Sequence, residues 1–295
     1  MRRLLSLAVL VLTVGIWGSA AEQEVETPSI LFDSDRTGDY EIYCMDADGA
    51  NPTRFTWHAA DDFAGWPSPD GDHIVFASRR TGSGRLYIMD ADGLNAAPIP
   101  GAHATGGQPV WSPDGSFIAF VSHVDDNAEI CVINVDGTGH RRLTNNTHGD
   151  FEPTWLPDGE HIGWSADPDG NADIYVMRAD GTDVVRLTSW PSIEAYPNWS
   201  PDGTKVVFCS DHSGAWEIYV MDADGGSITQ LSETGEFNGT PRWSPDGAMI
   251  VFQSDRDGDS EIFLMNADGS DVQQLTDNDA VDAHPCWFPP SSGAP

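Results

Sequence analysis

Four acids share one register of this chain: Asp62, Asp150, Glu194 and Asp282. Gly106 and Asn238 occupy the two remaining places of the same register. Each residue stands three positions before the proline of a "PxW"-like triplet, with Gly65 replacing the proline in the first copy. Carboxylates brought into a ring could hold Ca²⁺ or another divalent cation. They could equally cap the turn of their own segment. One residue before the proline the copies diverge, reading Ala64, Gln108, Glu152, Tyr196, Thr240 and His284. A position with a shared structural duty should stay alike, so divergence marks these residues for binding. Gln108, Glu152, Tyr196 and His284 combine acceptors, donors and titratable groups. His284, Glu152 and Gln108 could form a metal set if they converge. Trp57 and Trp190, on the same connecting segments, supply aromatic contact surface. His58, His103 and His148 lie there as well.

The elements that must position these residues repeat. Trp111, Trp155, Trp199, Trp243 and Trp287 stand 44 residues apart, as do Met45, Met89, Met177, Met221 and Met265 with Ile133 in the gap. The register runs without insertion from about residue 28 to 290 and gives six units. Each unit carries a "PDG" and a "DG" turn signal. Between the turns lie short apolar runs such as "KVVFCS" and "EIYVM". These runs are too short for helices and rich in β-branched and aromatic residues, so they read as strands. Four strands per unit and six units predict an all-β, six-bladed propeller of four-stranded antiparallel blades. The register begins at "ILFDS", a second strand, and finishes at "HPCWF", a first strand. The N- and C-terminal strands are therefore expected to close the ring within one blade.

Repetition also supplies an internal control. The acids of "DADG" and "PDG" recur in most units and read as turn residues, and the repeated tryptophan reads as blade-to-blade packing. The loops "DPDGNAD" (167–173) and "DRDGDSE" (255–261) offer alternate oxygens to Ca²⁺ but also suit hairpin hydrogen bonding. The net charge of -33 argues against nucleic acid and anionic lipid as partners. Residues 1–21 read as a signal peptide, with Arg2 and Arg3, an apolar run from Leu4 to Ile16, and small residues Ser19 and Ala21. After its cleavage no helical membrane span is expected, and the product is placed in the periplasm or outside the cell. Cys44, Cys131, Cys209 and Cys286 show no metal-finger spacing. They read as buried thiols, with one oxidised pair as the alternative in an exported protein.

The composite "PxWSPDGxxIxFxSDRxGxxEIYxMxADGxxxxxLT", matched best from Arg242 to Gly269 and from Asn198 to Gly225, resembles the repeat of TolB-type, WD-like propellers. The resemblance spans 28–290. It implies a non-catalytic binding module in the cell envelope, since the family's propeller docks a lipoprotein in the periplasm. The expected ligand is a protein or glycan, the expected state a monomer, and no cofactor is expected. The alternative is a metal-dependent channel-site enzyme, a carbohydrate lyase or hydrolase-like protein. It follows from propellers of similar repeat that hold a metal in the channel. No GxSxG motif occurs.

Overall fold

The computed structural model describes residues 29–289 apart from 83, 103–106 and 125–126, with the side chain of 124 also outside it. The export signal and His103 therefore lie outside the described residues. Six four-stranded antiparallel sheets stand around a central channel, each built as the 44-residue period predicts. Blade one pairs Asp282–Phe288 with Ser29–Ser34, followed by Glu41–Asp46 and Thr53–Arg54. The pairs Ile30↔Trp287 and Leu31↔Cys286 join the two ends of the chain in that sheet. Closing the ring leaves no blade without a neighbour. In the other blades the inner strands are Asp62–Pro67, Gly107–Trp111, Asp150–Trp155, Glu194–Trp199 and Asn238–Trp243.

The second strand of each blade is apolar on both faces because neighbouring blades cover both. Phe32, Phe76, Phe120, Phe208 and Phe252 are buried at one register, with Trp164 in the fourth blade. Two of the repeated tryptophans hydrogen-bond to the preceding blade. Trp111 Nε1 donates to Trp66 O (3.1 Å), and Trp287 Nε1 donates to Arg242 O (3.3 Å). The "PDG" acids stabilise their turns: Asp202 accepts from Ser200 Oγ (2.6 Å) and from the Thr204 amide (3.0 Å). Those bonds hold its carboxyl below the usual range. In "DADG", Gly225 has φ 87°, and a Cβ there would lie 2.6 Å from Leu187 O in the preceding blade's connection. All four cysteines are unpaired; Cys44 is partly buried and the other three are buried.

Candidate functional site

Every inner strand contains a β-bulge just before the proline position, for example between Phe151 and Thr154. A bulge inserts one residue and re-aims its neighbours. The bulged residues are Ala64, Gln108, Glu152, Tyr196, Thr240 and His284, with φ between 49° and 57°. Left-handed backbone at a non-glycine residue is costly, and six copies at one level of one channel constitute a built-in feature. The sequence-divergent register and the strained register are the same residues.

Side chains from adjoining blades hold these backbones in place. Asp33 Oδ2 accepts the Ala64 N–H (2.8 Å). Gln108 Oε1 accepts the Glu152 N–H (3.0 Å). Glu152 Oε2 accepts the Tyr196 N–H (2.7 Å) and the Ser165 hydroxyl (2.8 Å). Gln253 Oε1 accepts the His284 N–H (3.1 Å) and the Thr240 hydroxyl (3.1 Å). The His284 Nδ1 lies 2.9 Å from Asp33 Oδ2, which fixes its ring.

Ala64, Gln108, Glu152, Tyr196 and His284 line one cavity in the channel, together with Trp66 and Arg242. Four of the six predicted ligand-binding residues thus come together. The free space for the centres of water molecules is about 30 Å³. That is room for only a few waters, and this tight stretch of the channel is its neck. Arg242 forms one side of the neck, its guanidinium 5.2 Å from the Trp66 ring centre and its Nη1 donating to Pro241 O (2.9 Å). Burial pushes the Glu152 carboxyl upward against the bonds from Tyr196 and Ser165. The Glu152 charge and burial together raise the Tyr196 phenol. Burial lowers the Arg242 guanidinium, while burial of Cys286 pushes its thiol up to about 12. The neck therefore presents a hydrogen-bonding acid, a phenol, an oriented imidazole and a guanidinium.

Trp57 and Trp190 stand elsewhere. Trp57 is 75% exposed and carries the Arg54 guanidinium 4.4 Å from its ring centre. Trp190 is part-buried, stacked on His212 at 3.9 Å. Neither lines the neck.

The four acids considered as a cation ring are each buried within their own blade. Arg80 pairs with Asp62 through Nη2 (2.5 Å), and Arg36 pairs with Asp282 through Nη2 (2.8 Å). Asp150 instead accepts from Trp164 Nε1 (2.8 Å) and Asn146 Nδ2 (2.6 Å). Glu194 accepts from Ser192 Oγ (2.7 Å), and desolvation lifts its carboxyl from 4.5 to about 7. Among the described residues no group of three or more His, Cys, Asp or Glu side chains is arranged to hold a metal ion. Residues of the 167–173 loop bond instead to the connections that lead into inner strands: Asp167 accepts the Gly149 N–H (2.7 Å), and Asn171 Nδ2 donates to Trp190 O (3.1 Å).

Sequence reasoning missed two further divergent registers, which supply Trp66, Val110 and Arg242 to the neck and hold its backbone through Asp33 and Gln253. Trp66, Val110, Thr154, Asn198, Arg242 and Cys286 diverge at the register two residues further on, so the same departure-from-repeat test would have found Arg242. Asp33 and Gln253 stand at a divergent register of the second strand, shared with Ala77, Val121, Ser165 and Cys209.

The comparisons agree with this fold. The TolB beta propeller domain family matches residues 98–189, and the dipeptidyl peptidase IV N-terminal region matches residues 164–243. TolB from Acinetobacter baumannii superposes with TM-score 0.78 at 24% identity, covering 88% of this chain and 66% of that one. The chain thus spans just under two thirds of that relative. A protein assigned as TolB from Agrobacterium tumefaciens gives TM-score 0.72 at 25% identity, covering 89% of this chain and 99% of that one. A chain of the nidogen/laminin complex shares the fold alone, at 13% identity and TM-score 0.70, covering 90% of this chain and all of that one. No curated protein matches by sequence. The chain is thus a six-bladed β-propeller with TolB-type repeats, matching the TolB beta propeller domain family over residues 98–189 and similar in fold to the TolB structures.

Proposed function

We propose that this propeller is an exported, monomeric, non-catalytic binding module. Its channel takes a projecting group of a protein or glycan partner in the periplasm or cell envelope. One observation carries the reading: the register where the six repeats diverge is also the strained ring at the channel neck. A neck so narrow suits a side chain, a chain end or a sugar hydroxyl better than a whole ligand. Glu152 and Tyr196 would meet the entering group, His284 and Gln108 would set its orientation, and Trp57 and Trp190 would contact the partner outside the channel. Kinship with TolB structures supports the envelope location, and the N-terminal sequence supports export. Attraction from a chain of charge -33 would speed encounter with a basic partner and weaken with salt. The test is capture of partners from a native envelope extract by the wild type and by neck variants, each checked by thermal melting. Loss of one partner in Tyr196→Ala, with its melt unchanged, supports the proposal. Equal capture by all neck variants contradicts it.

A further inference from the structure

Beyond the neck, on the face of the "PDG" turns, the channel opens into a vestibule of about 240 Å³. Its wall comes from the ends of inner strands. Trp66 and Trp243 keep part of their surface accessible, while Trp111, Trp199 and Trp287 are buried behind. Prolines of the turns, including Pro69, Pro201 and Pro245, form the rim. Among the described residues no acidic side chain lines this space, although Asp70, Asp202 and Asp246 follow its rim prolines in sequence.

The floor is polar and carries donors. Arg242 lines the vestibule as well as the neck, and its Nη1 is bonded to a neutral carbonyl, Pro241 O. Asn198, at the same register in the adjacent blade, accepts the Trp243 N–H through Oδ1 (2.9 Å). That bond assigns its amide NH₂ to the remaining side as a donor. Ser68 and Ser244 turn their hydroxyls to Asp70 and Asp246, away from any ligand. A guanidinium and an amide donor at the bottom of an aromatic, acid-free cup suit one chemistry: a carboxylate attached to a flat or apolar body. A cation would meet the Arg242 charge, which Glu152 on the neck side offsets only in part.

We propose that this vestibule is a second ligand site, which binds a compact carboxylate with its anion on Arg242 and Asn198 and its body against Trp66 and Trp243. The carboxylate could end a peptide with an apolar last residue or belong to an acidic sugar, and both present the same group to the floor.

Titration calorimetry with the whole protein tests this, using benzoate, N-acetyl-phenylalanine and glucuronate as probes and benzyl alcohol as the uncharged control. Saturable binding of at least one carboxylate and none of benzyl alcohol is expected, and the stronger of the last two carboxylates identifies the source. Asn198→Asp retains an acceptor for the Trp243 N–H but sets a carboxylate beside Arg242, and should weaken binding at least tenfold. Arg242→Gln should abolish it, with thermal melting used to confirm folding. Trp57→Ala and Trp190→Ala, which alter the opposite face, should bind the probes as the wild type does. Failure of the proposed partner site and failure of this one are therefore separable. Absence of saturable binding for all three carboxylates, or undiminished binding in folded Asn198→Asp, would overturn the proposal.

Discussion

Glu152 both holds the frame and faces the channel, and its neighbour shows how to separate the two duties. Gln108 accepts the Glu152 N–H through a neutral amide oxygen, and Glu152 accepts the Tyr196 N–H in the same manner. Glu152→Gln should therefore preserve the inter-blade bond while removing the channel's negative charge, with stability within about 1 kcal/mol of wild type. Glu152→Ala leaves the Tyr196 amide and the Ser165 hydroxyl without their acceptor and should cost about 1–3 kcal/mol. Chemical denaturation of the two variants side by side checks this. The strain at the ring is testable too. Ala64 sits at φ 52° with no side chain beyond Cβ, so Ala64→Gly should relieve left-handed strain and gain about 1 kcal/mol. A destabilised Ala64→Gly protein would show that the ring conformation is not strained. The residue types at this ring were legible because the repeat marks what departs from it. The left-handed backbone was not, since a bulge has no sequence signal when its residue is not glycine. Arg242 stands two residues beyond this ring, past the bulge, at a register whose divergence marks it in the same way.

At the scale of the element, the inner strands carry the site and the rest of each blade holds them. The "PDG" and "DADG" turns, the short β-rich runs and the Trp period sufficed to read four strands per blade. The buried acids were harder to place. Asp62 and Asp282 have the spacing of a ring, but arginines of their own blades reach them first, at Arg80 and Arg36. The pairing of Arg80 with an acid 18 residues earlier, and of Arg36 with one 246 residues later, is invisible until the second-strand loop is known to fold back over the inner strand. Closure gives the sharpest prediction here. Trp287 is buried, pairs with Ile30 and donates to Arg242 O in blade six. A chain ending at His284 loses that side chain, whose ~150–250 Å² of burial at ~25 cal/mol/Å² corresponds to about 4–6 kcal/mol. Its melting temperature should fall steeply and as a single transition. An unchanged melt would mean that the terminal pairing does not hold the ring.

For the whole molecule, charge and burial oppose each other as pH changes. Desolvation raises the carboxyls of Glu194 and Glu261 from 4.5 to about 7. Between those values the folded protein binds more protons than the unfolded chain, so stability falls as pH rises from about 5 to above 7. The "PDG" acids Asp70, Asp114, Asp202 and Asp246 lie below the ordinary 3.8 because turn hydroxyls and amides bond their charged form. Their contribution is present above 3.8 and is lost as pH drops through their lowered values. Thermal melts across pH should thus peak on the acid side of neutrality, near pH 5. Glu194→Gln should flatten the limb between pH 5 and 7, and an unaltered limb would exclude Glu194 as its source.

Partner recognition is proposed at the divergent, left-handed ring of the channel neck. Tyr196→Ala tests it most directly. Ala64 already occupies the equivalent place in blade two, and the bond to Glu152 comes from the Tyr196 backbone, so the variant should keep the frame. Partner capture from native envelope extract should be measured for this variant, for wild type, and for Asp224→Ala in a "DADG" turn. Tyr196→Ala is expected to bind its partner roughly thirtyfold more weakly, corresponding to about 2 kcal/mol for a buried aromatic contact, while Asp224→Ala retains it. Full capture by Tyr196→Ala together with loss in a folded Asp224→Ala protein would place recognition on the other face and contradict the claim.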